Sequence, residues 1–273
     1  MSSVILDSSN FGSYVAILFV SSVIPFIMIM WGLLASSEVY LVIAFFFKLS
    51  FFPFLWWFPY LSSFLTFFLF FVFGVINKIF PVILLFINQI ISFNVIFLIS
   101  LLTIVLSLIN LMYFQNDIKI FLAWSSNANF GWMILVMSQV WIGGLVYFFL
   151  YLSLLFYILV CFSDSNTFFD QLNNSGYLEK LFFFFLLISF LGLPPFFGFF
   201  YKYVFINSVV GFDFLNNSTV ILVFIIVLVT INSFIYINLL FKINMLSFFF
   251  FLNKWFFLVL VFYLFISAGF LSL

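Results

Sequence analysis

Three lysines, Lys48, Lys78 and Lys202, stand well inside long apolar stretches of this 273-residue chain. An ammonium group at the centre of a bilayer costs roughly 2.5 to 3.5 kcal/mol on insertion scales, so each must face protein, water or a counter-charge. The chemistry such groups offer is proton carriage. Low dielectric disfavours an ammonium and a nearby carboxylate favours it, so the occupancy of a buried lysine depends on where its counter-ion is. Three in series, bridged by water, make a relay across or along a membrane. Prolines accompany all three: Pro53 follows Lys48 in KLSFFPFLWW, Pro81 follows Lys78, and Pro194 and Pro195 precede Lys202 in GLPPFFGFFYK. Proline lacks an N–H and crowds the preceding turn, so helix breaks are expected at Pro53, Pro81, Pro194 and Pro195. In one half the lysine precedes its break and in the other it follows, the order an inverted repeat gives.

The composition says what must carry these residues. Hydrophobic residues make up 68% and charged residues 5% of the chain, against about 25% charge in soluble domains. The apolar runs are continuous rather than alternating with period two, so the chain reads as an all-α integral membrane protein and not a barrel. Histidine is absent, which removes imidazole-based metal, haem and proton-relay sites. The single cysteine, Cys161, permits neither a disulfide nor a metal cluster within the chain. No cofactor, metal or nucleic acid is expected to bind it. The opening MSSVILDSSNF has no basic residue and no cleavage signal, so neither a signal peptide nor an import presequence is expected. The 53 phenylalanines read as the codon bias of an A+T-rich genome. Such an apolar chain without an address suits synthesis in the compartment where it is inserted.

Requiring about 20 apolar residues per span predicts nine helices, over 12–35, 38–58, 63–91, 94–113, 118–139, 141–162, 180–207, 218–242 and 254–272. They form one transmembrane domain over 1–273, with no soluble domain. Lys119, Lys180, Lys242 and Lys254 then fall at helix ends on the side of the N-terminus, opposite Glu38 and Asp213. The positive-inside rule puts the N-terminus on the matrix or cytoplasmic side and the C-terminus across the membrane, and makes these four lysines interfacial. Lys48, Lys78 and Lys202 are left as the functional set. Polar residues within spans supply a supporting path, above all Ser125, Ser126, Asn127 and Asn129 of SSNAN. Four polar side chains in five residues cannot all satisfy one another on a helix. The alternative for each taken singly is interhelical packing.

The segments KLSFFPFLWWFPY, NKIFPVILLF, DIKIFLAWSSNANFGWM and FLGLPPFFGFFYKY, in that order and spacing, resemble the antiporter-like membrane subunits of respiratory complex I. The resemblance runs from about Lys48 to Tyr203 and is most specific in the G-L-P-P-x-x-G-F-x-x-K segment. It implies a proton-pumping module on an inverted-repeat core, whose sixth to fourteenth helices the nine spans would match. The lysine of the family's broken seventh helix falls on Lys48, that of the eighth on Lys78, and that of the broken twelfth on Lys202. A position of the tenth helix often held by histidine is Asn129 here, which puts a histidine-dependent step there in doubt.

In the family the seventh-helix lysine pairs with a glutamate on the fifth helix. Here Glu38 is ten residues away along the same helix, about 15 Å at 1.5 Å per residue, too far for an ion pair. The expectation is the C-terminal part of a split or truncated subunit, with a separate chain supplying earlier helices and a glutamate near Lys48. Other complex I membrane subunits and lipids are the implied partners, and FMN, iron–sulfur clusters and ubiquinone belong elsewhere in that complex. The implied function is proton translocation coupled to quinone reduction by NADH:ubiquinone oxidoreductase in the mitochondrial inner membrane. Two other readings stay open: a subunit of a multi-subunit cation/proton antiporter, and a structural membrane subunit that has lost transport.

Overall fold

The computed structural model describes residues 8–34, 38–87, 93–139, 143–149, 151, 152, 155, 187, 188 and 218–242. Lys202, Pro194 and Pro195, and the predicted span 254–272, lie outside the described residues. Within them regular structure is helical, as it must be where lipid offers backbone N–H and C=O groups no partner. The helices are α1 (Ser8–Leu34), α2 (Glu38–Leu49), α3 (Trp57–Ser62), α4 (Phe67–Phe71), a π-helical turn (Val72–Ile76), α5 (Asn77–Ile87), α6 (Phe93–Tyr113), α7 (Ile118–Gln139) and α8 (Ser218–Lys242). Residues 143–149 are helical as well.

Within α6, α7 and α8, the stretches Val95–Tyr113, Ile118–Ser138 and Val223–Leu240 are long and apolar enough to cross a membrane. The least apolar of the three, α7, is the most enclosed, and every residue from 121 to 137 is buried. That is the arrangement expected when the surroundings are lipid: polar side chains gather on the central helix and apolar ones face outward. Ser100, Thr103 and Ser107 line the buried side of α6, each returning its hydroxyl to a carbonyl three residues back. Small residues bring α6 and α7 together, since a Cβ at Gly131 would lie 2.7 Å from Ile104 Cγ1 and 2.8 Å from Thr103 Oγ1. On the other side α3 packs on α7, α2 on α5 and α1 on α2. Phe19, Phe26, Trp31 and Leu33 of α1 remain exposed.

The predicted helix 38–58 is two helices with a seven-residue interruption, 50–56, that contains Pro53. Ser50 takes a left-handed backbone, φ 55°, and the Phe52–Pro53 peptide is cis. The groups this break frees from helical bonding are taken up locally. The Phe51 N–H reaches the Phe46 carbonyl at 2.9 Å and the Phe54 N–H reaches the Phe51 carbonyl at 2.6 Å. Trp57 Nε1 donates to the Phe47 carbonyl at 2.8 Å, and its ring stacks on Phe47 at an interplanar angle of 4°.

Pro81 behaves differently from the expected break, because α5 runs through it. The departure from α-helical geometry comes earlier, in the π-helical turn that ends at Ile76. A proline at 81 crowds and leaves unbonded the carbonyl of Asn77, which is the first residue after that turn. Irregular turns of this kind are among the ways a helix accommodates a proline without ending. A second shift concerns the start of the predicted helix 63–91. Helix begins at Phe67, where Thr66 caps it by accepting the Leu69 N–H at 3.3 Å.

Candidate functional site

Three elements meet at the break. Lys78 enters from the first turn of α5, Ser50 from the start of the break and Asn127 from the middle of α7. Lys78 Nζ donates to Ser50 Oγ at 2.9 Å and to Asn127 Oδ1 at 3.0 Å. Two rings close the remaining sides, Phe58 with its centroid 4.5 Å from Nζ and Phe130 at 4.6 Å. The side chain is 0% exposed. An ammonium is well served by such a box, because oxygen acceptors and aromatic faces both offer negative potential without a formal charge.

The local sequence explains why the box forms. Gly74 sits in the π-helical turn, and a Cβ there would lie 2.9 Å from Phe58 Cζ. The missing side chain leaves room for the ring that then covers Lys78. Asn127 spans the break, with Oδ1 at its start beside Ser50 and Nδ2 donating to the Leu55 carbonyl at 3.3 Å near its end. The Ser50 oxygen lies 2.7 Å from Asn127 Oδ1 and 2.5 Å from the Leu49 carbonyl, so its one proton serves one of these two acceptors.

Lys48 lies in the last turn of α2, two residues before Ser50, and is half-buried. The helix end suits a cation, since the last carbonyls point toward it. Among the described residues it has no hydrogen-bond or ion-pair partner.

The other polar residues of SSNAN divide by face. Ser125 and Ser126 give their hydroxyl protons to the carbonyls of Leu122 and Ala123, at 2.8 and 2.7 Å. These side chains find partners outside the cluster rather than in one another, the two serines by bonding back to the preceding turn. Ser125 also shares a hydrogen bond with the Tyr236 side chain of α8. Asn129 accepts from the Tyr147 hydroxyl at 3.1 Å, on a different side of α7 from Asn127. On α8, Asn232 Oδ1 is buried without a hydrogen-bond partner among the described residues.

Lys119 departs from its interfacial assignment. It is 8% exposed, and Nζ donates to the Leu65 carbonyl at 2.7 Å with Phe67 5.1 Å from the charge. The turn between α3 and α4 supplies an acceptor inside the protein, so the side chain folds inward rather than toward water. Ser50, Phe58, Phe130, Tyr147 and Tyr236 were not singled out by sequence reasoning. The only available signal was for Ser50, a hydroxyl between a buried lysine and a proline.

Comparison with known proteins adds three findings. Residues 8–229 match the family described as NADH:quinone oxidoreductase/Mrp antiporter, TM. NADH-ubiquinone oxidoreductase chain 2 of Anopheles gambiae is 31% identical over 179 residues, which cover 62% of this chain and 50% of that protein. The same-named protein of Aedes aegypti is 35% identical over 100 residues, covering 35% and 29%. The chain thus spans half or less of the length of these relatives. Among solved structures, a chain of respiratory complex I from Thermus thermophilus with bound aureothin aligns with TM-score 0.61 at 20% identity, over 74% of this chain and 48% of that one. A chain of the Mrp complex from Dietzia sp. DQ12-45-1b aligns with TM-score 0.65 at 13% identity, over 84% and 48%. At these identities the two structures speak for a shared fold.

Proposed function

The chain belongs to the NADH:quinone oxidoreductase/Mrp antiporter membrane family, and from that premise we propose that it is a proton-translocating membrane subunit of respiratory complex I, of the chain 2 type. The observation that carries the reading is the setting of Lys78, fully buried and bonded to a hydroxyl and an amide. A connecting lysine is served by partners that tolerate both its forms. A carboxylate favours the ammonium and makes proton release depend on where that charge is, whereas a serine hydroxyl accepts from –NH3+ and can donate to –NH2.

In this reading Lys48 carries a proton under the influence of an acidic partner, Lys78 connects, and Lys202 carries for the second half-channel. The nine predicted spans then form an inverted-repeat core in the mitochondrial inner membrane, N-terminus on the matrix side and C-terminus on the intermembrane-space side. NADH oxidation and quinone reduction, with FMN, iron–sulfur clusters and ubiquinone, belong to other subunits. Lys48 is half-buried and unpartnered among the described residues, which leaves it open to a carboxylate from outside them; in this reading a helix of a separate polypeptide delivers it.

Replacing Lys48 with methionine in the assembled complex tests the function. Fewer protons pumped per electron is the expected outcome; normal pumping by a fully assembled variant would favour a structural subunit. The likeness to the Mrp chain supports a second reading, a subunit of a multi-subunit cation/proton antiporter. Purification from native membranes separates the two. Flavin- and iron–sulfur-containing partners accompany a complex I subunit, and an antiporter subunit comes without them.

A further inference from the structure

Ser50 lies at the centre of the buried cluster although it bears no charge. Its hydroxyl accepts from Lys78 Nζ at 2.9 Å and lies 2.7 Å from Asn127 Oδ1. Its backbone is left-handed at φ 55°, a conformation that glycine takes freely and that is costly for a residue with a Cβ. A side chain kept at such a position implies that the hydroxyl is used. Asn127 reaches both ends of the same break, through Oδ1 beside Ser50 and through Nδ2 to the Leu55 carbonyl.

We propose that Ser50 and Asn127 are positioning residues for Lys78, tying its ammonium to the break after α2 so that the proton on Lys78 and the geometry of the Lys48-bearing helix end are coupled. The proposal rests on reading Lys78 as a proton carrier. When the proton passes to the next base of the relay, a water or a neutral lysine amine, –NH3+ becomes –NH2 and no bond to carbon changes. The amine then has two N–H groups and a lone pair. The Ser50 proton, shared until then between Asn127 Oδ1 and the Leu49 carbonyl, can turn to that lone pair, and the Asn127 oxygen loses its charged donor. Lys48 stands two residues from Ser50, so this exchange of donor and acceptor is felt at the end of α2.

The test measures protons pumped per electron, together with the rate of electron transfer, for the assembled complex in sealed membrane vesicles. Ser50→Gly removes the hydroxyl while suiting the left-handed backbone. If Ser50 served only the turn, this variant would pump as wild type. The proposal expects it to close most of the gap between wild type and Lys78→Met, with electron transfer continuing. Asn127→Leu, in ordinary helix, is expected to do the same, and Asn127→Gln, which keeps a neutral acceptor oxygen and the amide donor, to recover most of that loss. The double variant is expected to fall no lower than the lower single one, because both side chains serve one ammonium. Wild-type ratios in Ser50→Gly and Asn127→Leu, with pumping lost in Lys78→Met, would overturn the coupling and leave the lysine relay standing. A wild-type ratio in Lys78→Met would overturn both. If Ser50→Gly does not assemble, the Asn127 pair decides, and equal loss in Leu and Gln variants counts against the proposal.

Discussion

A buried lysine is held either by a counter-charge or by neutral oxygen, and the two choices have different consequences. Lys78 takes the second course, with Ser50 and Asn127 as its acceptors and Phe58 and Phe130 over its charge. Lys119 also bonds a neutral oxygen, the Leu65 carbonyl, but there the acceptor belongs to a turn that the lysine holds in place. Lys119→Met should therefore destabilise the chain by about 1.5 to 3 kcal/mol, the range for a lost hydrogen bond to a charged group. Thermal inactivation of the assembled complex checks this; an unchanged midpoint would restore the interfacial role that a lysine near a helix end suggests. Lys78 was legible in the sequence because a charge inside an apolar run is an exception that demands a reason. Ser50 was not, since a serine in a membrane helix commonly bonds its own backbone, as Ser125 and Ser126 do. Only the backbone turn at Ser50 brings its hydroxyl to Lys78 and Asn127 as well as to the Leu49 carbonyl.

At the scale of elements, the site is made by two irregularities that face each other, the break 50–56 and the π-helical turn Val72–Ile76. Trp57 ties the far side of the break to the Phe47 carbonyl, which also accepts the Ser50 N–H at 3.2 Å. Trp57→Phe keeps the stacked ring and removes one of the two donors, which should lower the stability of the complex in a melting measurement by about 0.5 to 1.5 kcal/mol. In the π-helical turn, Gly74 makes room for Phe58. Gly74→Val would force Phe58 off Lys78, so pumping should fall although no polar group has been touched. Pumping equal to wild type, with the complex assembled, would show that the aromatic cover is dispensable. Gly131→Val addresses a different contact, the close approach of α6 and α7. It should lower thermal stability by about 1 to 3 kcal/mol through overpacking, as a melting measurement on the complex would show. The break near Pro53 could be expected from the proline, and the helical spans from apolar run length. The turn at 72–76 could not, because no residue type marks a π-helical turn, and Pro81 reads as a break in the sequence although α5 runs through it.

At the scale of the molecule, α7 is the polar and enclosed axis, and the more apolar α6 and α8 are about half buried within the chain. The membrane class was legible from composition alone. Which helix would be central was partly so, since SSNAN marks α7 as the least apolar of the long spans. Which neighbours it would choose was not, because Tyr147 and Tyr236 reach it through packing that no local pattern encodes. Lys48, without a partner among the described residues, and the exposed aromatic residues of α1 are expected to meet further helices in the assembled complex, one bringing a carboxylate to Lys48. A structure of the complex with no acidic side chain near Lys48 would count against that arrangement. Lys78→Met asks, with little structural disturbance, whether the buried lysines move protons. Methionine is close to lysine in length and brings no charge to be desolvated, and Ser50 and Asn127, both neutral, can bond each other across 2.7 Å. The decisive measurement is the number of protons pumped per electron by the assembled Lys78→Met complex in sealed vesicles. Electron transfer with a clearly lowered proton ratio is the predicted result; an assembled complex with the wild-type ratio would contradict it.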